Sequence, residues 1–178
     1  MFNEVLDFWF TELTPKQWWV KDDELDALIE RRFANLLNQA KAGELFQWRD
    51  TALGSLAEII IVDQFSRNIH RDKPESFIND SMALVLAQSA ISKGFDKELS
   101  ETQISFLYMP FMHSESSKIH IEAVKLFESL GNKNNLDFEY RHKAIIDKFG
   151  RYPHRNEILG RESSKEEIAF LKQADSGF

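Results

Sequence analysis

Cysteine is absent from this chain of 178 residues. That excludes a disulfide scaffold, thiol catalysis and thiolate metal sites, and it fits a reducing compartment. Proline and glycine are sparse, four and seven residues, so long regular elements meet few breakers. No long apolar run occurs. Runs such as Ile59 to Val62 are far too short to span a bilayer. The N-terminal Met1-Phe2-Asn3-Glu4 lacks the basic region of a signal peptide. A soluble cytoplasmic protein without membrane association is the expectation. Basic charge is also short. The net charge of −7 argues against nucleic acid, whose phosphates need a basic face.

What the chain does have is hydrophobic content of 43%, with 12% aromatic, ample for a real core. It also has a stretch written twice. Ile60 to Val62 leads into Asp63-Gln64-Phe65-Ser66-Arg67-Asn68-Ile69-His70-Arg71. Ala144 to Ile146 leads into Asp147-Lys148-Phe149-Gly150-Arg151-Tyr152-Pro153-His154-Arg155. Both read D-x-F-x-R-x-x-H-R, 84 residues apart. The segments 63–73 and 147–161 carry +1 and +2, leaving −10 for the rest. They are basic islands on an acidic protein, suited to an anionic partner or to internal pairing.

The periodicity is helical throughout. Val5 to Phe10 is apolar nearly all round and reads as a short buried helix. Thr14-Pro15 reads as a cap followed by proline at the first helical position. Leu25, Leu28, Ile29, Phe33, Leu36, Leu37 and Ala40 make an amphipathic stripe. Further helices are expected over about 51–65, from Pro74 to Gly94, from the Ser100/Gln103 capping box to a kink or end at Pro110, from about Ile119 to Leu130, over 136–149, and from Ser163 or Ser164 to about Ala174. Asn132 to Asn135 reads as a polar loop. The fold class is all-α, one domain over 1–178 with about eight helices, as antiparallel pairs in a short superhelix. The repeat suggests two pseudo-symmetric halves, with convergence on one helix-end motif as an equal alternative.

Three polar blocks stand among core residues: Asp63 to Arg71, Tyr108 to Glu115, and Phe149 to Arg161. In them Arg67, Arg71, Arg151, Arg155 and Arg161 face Asp63, Glu115 and Glu157, with Asp147 and Glu162 adjacent. Asp63 with Arg67, and Asp147 with Arg151, lie four apart in the favourable order for pairing along a helix. The balance of charge favours a self-satisfied structural network. The sharper reading is a pocket in which Arg67 and Arg151 hold an anionic group of a peptide or small molecule. Asp63, Asn68, His70, Arg155, Asn156 and Arg161 would complete this binding set. His113 with Glu115, or His154, could act as acid or base in a small hydrolase or transferase. His70, His113, His120, His142 and His154 lack metal-ligand spacing, so no metal is expected. No phosphate-binding glycine loop or dinucleotide fingerprint occurs, so no cofactor is expected. Oligomeric state stays open.

Longer motifs carry a family resemblance. They are Asp63-Gln64-Phe65-x-Arg67-Asn68, Phe106-Leu107-Tyr108-x-Pro110-Phe111-x-His113-Ser114-Glu115, Phe149-Gly150-Arg151-x-Pro153-His154-Arg155-Asn156 and Ile158-Leu159-Gly160-Arg161-Glu162-Ser163. Val5-Leu6-x-Phe8-Trp9-Phe10 and Trp18-Trp19 agree with them. Over nearly its whole length the chain resembles an uncharacterised bacterial family, domain of unknown function 924. Two departures stand out. Ser66 occupies a position where the family pattern has proline, and 118–123 lacks the expected polar Gln and Ser. The resemblance implies a tetratricopeptide-like helical fold and a concave surface for a partner, with no established activity.

Overall fold

The structure, a computed structural model, describes residues 2–173, 176 and 177. Among these the fold is all-α, with no strand. The helices are α1 (Phe2–Asp7), α2 (Asp23–Lys41), α3 (Ala52–Ile60), α4 (Ser66–Ile69), α5 (Asp80–Ser92), α6 (Glu101–Met112), α7 (Ser117–Leu130), α8 (Lys133–Phe149) and α9 (Lys165–Leu171). A π-helical turn, Ile61–Phe65, fuses α3 and α4 into one rod, so the described residues hold eight rods. No helix is long and apolar enough to cross a membrane among the described residues. Packing divides the chain into two compact units: Met1–Arg71 with Glu75–Pro110, and Asp72–Pro74 with Phe111–Phe178.

The first unit is organised by aromatics. α1 buries Val5 and Leu6 and runs into a π-helical turn, Phe8–Glu12, that buries Phe8 and Trp9. Asp22 caps α2 by accepting from the Glu24 and Leu25 amides, which satisfies two otherwise orphaned donors. One stripe of α2, Leu25, Ile29, Phe33, Leu37 and Ala40, is buried at helical spacing. Phe33 and Phe65 stack at 4.7 Å, with Phe8 at 5.0 Å from Phe33. α3 is wholly buried from Gly54 to Ile60, with its Glu58 gripped by Arg49 in bonds of 2.7 and 2.6 Å, so it is the central rod. α5 packs on it through Ala83, Ala87 and Ala90.

The rod differs from the expectation of a helix ending at Phe65. Thr51 caps its start, and it continues through the π-turn to Ile69. Pro110 lies inside α6, which ends two residues later at Met112. Proline there removes only a last-turn bond.

In the second unit α7 and α8 pack along each other. Gly131, at φ 77, ends α7 in the left-handed region that favours glycine. The expected loop Asn132 to Asn135 is corrected here. The Asn132 side chain caps α8 by accepting from the Asn135 amide at 3.1 Å, so the helix starts at Lys133. Ile145, Ile146 and Tyr152 form the core, with Phe149 and Phe170 packed on it. Of the two capping boxes weighed for α9, Ser164 with Glu167 forms. The expected helix end near Ala174 falls outside the described residues; α9 itself ends at Leu171.

Candidate functional site

The first motif copy lies in the first unit, where the rod's continuation decides its geometry. Asp63 is fully buried. Because the helix runs on past it, Arg67 comes back over the preceding turn. Its Nη1 donates to Asp63 O at 2.8 Å and to Asp63 Oδ1 at 3.1 Å. Its Nη2 donates to Asp80 Oδ2 at 3.1 Å. Gln64 Nε2 donates to the other Asp63 oxygen at 2.6 Å. Asn68 donates to Asp26 Oδ1 at 2.8 Å, and Arg71 grips both oxygens of the same carboxylate. His70 ends α4, and its carbonyl accepts from the Ser76 hydroxyl. The local Asp–Arg pair expected from the sequence therefore forms, joined by Asp80 and Asp26, which the motif did not contain.

The second copy lies in the second unit and behaves differently. Asp147 accepts from Lys143 at 2.5 Å, not from Arg151. This corrects the expected Asp147–Arg151 pair. α8 stops at Phe149, and Gly150, at φ 69, turns the chain off the helix axis before Arg151 is reached. Arg151 instead clamps Glu167 with two bonds of 2.7 and 2.9 Å, and donates to Glu162 O at 2.8 Å. This fork-to-fork pairing holds the Glu167 carboxyl far below its ordinary range, at about 2.

The second and third blocks meet within this unit. Arg161 grips Glu115 with bonds of 2.7 and 2.9 Å, and donates to Asn156 Oδ1 at 2.9 Å. Glu115 also accepts from the Tyr152 amide at 2.7 Å. Burial opposes ionisation of Glu115, but the Arg161 guanidinium and the Tyr152 amide outweigh it and hold the carboxyl below its usual range. Asn156 is buried and donates to Ser163 Oγ at 3.0 Å. Arg155 is buried, lies 4.6 Å over the Tyr152 ring and donates to His113 O at 3.1 Å. The His154 ring sits 5.5 Å from Tyr152. His113 and His154 are both half-buried.

Beneath them lies a cluster the motifs did not contain. His120 and Glu139 are completely buried and paired at 2.7 Å. Tyr152 Oη lies 3.2 Å from His120 Nε2. His142 is buried with its Nδ1 2.8 Å from Phe138 O, so Nδ1 carries the proton. Burial pushes His142 down to about 3; the Phe138 carbonyl opposes this and the charges of His113, His120 and His154 add to it. A signal for this cluster existed in the periodicity. His120 shares a stripe with Ala123 and Phe127, and Glu139 and His142 share one with Ile146. A titratable residue at a core position of a helix needs a buried partner. No group of three or more His, Asp or Glu among the described residues is placed to hold a metal ion.

Helix ends fastened by arginine–carboxylate clamps, beside a buried histidine cluster, define an all-α protein with an extensive internal polar network. The chain belongs to the family described as bacterial protein of unknown function (DUF924), whose model matches residues 5–175. It is similar to the solved structure of a protein of unknown function from Agrobacterium tumefaciens, with 34% identity, a TM-score of 0.92 and 96% of each chain covered. No curated protein matches it.

Proposed function

We propose that this protein is a helical binding module that takes an anionic group, carried by a peptide or a metabolite, at His113, His154 and Arg155. The observation that supports this is their gathering around one ring. Arg155 stacks over Tyr152, His154 lies against the same ring, and Arg155 reaches the main chain of His113. Both histidines are only half-buried, so they can meet a ligand. In this reading Arg67, Arg151 and Arg161 are clamps, each already holding a carboxylate. Asp63, Asn68, His70 and Asn156 brace those clamps and the turns beside them. Tetratricopeptide-like stacking of helix pairs and a cytoplasmic setting belong to the same reading. The α7–α8 hairpin and the absence of cysteine support them.

A small hydrolase or transferase is the second reading. The half-exposure of His113 and His154 favours it, since a proton carrier must reach its substrate. Glu115, held as a carboxylate, would orient rather than donate.

The test is a thermal-shift and calorimetric screen of inorganic phosphate, dicarboxylates and acidic peptides. Wild type is compared with His113→Gln plus His154→Gln. A stabilising ligand is expected for wild type, and its effect is expected to be lost in the double variant. A shift of equal size in the double variant would overturn the site. Turnover of an ester or phosphoester panel, abolished by the same substitutions, would decide for the enzyme.

A further inference from the structure

Beneath that site lie three buried groups of the second unit, His120, Glu139 and the hydroxyl of Tyr152. Their hydrogen bonds fix a proton count. Tyr152 Oη donates its proton to Met112 O at 2.5 Å. It therefore turns a lone pair toward His120 Nε2, while Ser114 O offers another at 2.8 Å. Two acceptors face Nε2, so Nε2 carries a proton. On the other side of the ring Nδ1 faces Glu139 Oε1 at 2.7 Å. That contact needs one proton, resting on nitrogen as an imidazolium–carboxylate pair or on oxygen as a neutral pair. With none, two lone pairs would oppose each other. With a second, the extra proton would belong on Glu139 Oε2, which is buried and makes no hydrogen bond. One proton is the number that satisfies the pair.

We propose that His120, Glu139 and Tyr152 form a one-proton latch between α7 and α8: the second unit takes up a single proton as it folds and loosens when that proton is withdrawn above neutral pH. The groups that face the latch are His142 and Lys143 on α8, Glu115 before α7, and His154 and Arg155 after α8, with His113 acting on His142. Glu115 is held by Arg161, and Lys143 by Asp147. Burial keeps His142 neutral, with its Nδ1 proton donated to Phe138 O.

The sign follows from linkage. In an unfolded chain well above pH 6.5 a free histidine keeps its single ring proton and glutamate holds none. The folded pair holds one proton more, so stability falls as pH rises from about 6.5 until the folded pair releases it. Burial, outweighing His120, pushes the Glu139 carboxyl above its ordinary range, which has the same sign.

Urea unfolding of wild type and Glu139→Gln from pH 6.5 to 9 tests the latch. Glutamine keeps the shape, and its amide donates to a neutral His120 Nδ1. The wild-type unfolding constant is expected to rise, relative to the variant, by about tenfold per pH unit in this window, the slope for one proton. Parallel pH profiles would overturn the proposal. If Glu139→Gln does not fold, nitrogen NMR of the wild-type imidazoles decides. Nε2 of His120 protonated at pH 7, with one proton shared between Nδ1 and Glu139, is expected. An unprotonated Nε2 at pH 7 would overturn it.

Discussion

Arg151 grips Glu167 across the second unit, while Asp147, its counterpart in the repeated motif, is taken by Lys143. The same written pattern makes a pair within one helix at Asp63 and Arg67. The difference is one turn of backbone: the first rod continues beyond its arginine, and the second stops at Gly150.

The two arginines should accordingly differ in weight. Arg67→Gln leaves Asp63 charged and fully buried, with Asp80 beside it, and should cost about 3 kcal/mol or more. The Arg151 side chain is 32% exposed, so water screens its pairing. Arg151→Gln should therefore cost clearly less than Arg67→Gln. Urea denaturation of the two variants side by side measures both; equal costs would contradict this account. Acid should erase the Arg151–Glu167 contribution. The Glu167 carboxyl is depressed, so its stabilisation is present above pH 4.5 and lost as pH falls toward about 2.

Gly54 should resist the exchange that helix propensity favours. Alanine is the better helix former by roughly 1 kcal/mol. A Cβ at Gly54, however, would stand 2.2 Å from the Trp48 carbonyl oxygen and 2.9 Å from Thr51 Oγ1. A backbone oxygen cannot swing aside as a side chain can. Gly54→Ala is expected to lower the thermal midpoint by several degrees, and a rise would show that the Trp48 segment yields freely.

His142 predicts an acid arm for the second unit. Its folded value is depressed to about 3 from 6.5, so it contributes stability above pH 6.5 that is lost as pH falls toward 3. The full shift corresponds to on the order of 5 kcal/mol. His142→Phe removes the titrating ring and should flatten the acid arm while leaving the alkaline arm from Glu139 in place. Far-ultraviolet circular dichroism against urea at pH 4, 5, 6 and 7 checks it. An acid arm of undiminished steepness in the variant would assign it to other groups.

The sequence by itself determined the helical class, the α2 stripe, the cap at Thr14 with Pro15 opening its turn, the capping box offered at Ser164, and the Asp63–Arg67 pair. Each depends on residues within a few positions of one another, where helix geometry fixes which side chains meet. It also marked Glu115, Arg155, Asn156 and Arg161 as polar residues among core residues. Only the tertiary structure decided their partners. Glu167 for Arg151, Asp26 for Arg71 and Glu115 for Arg161 lie 16, 45 and 46 positions away, and no local periodicity selects one carboxylate among 29 acidic residues. The His120–Glu139 pair belongs with these. Each member stands on a buried stripe and signals only that a partner exists; packing α7 against α8 supplies it.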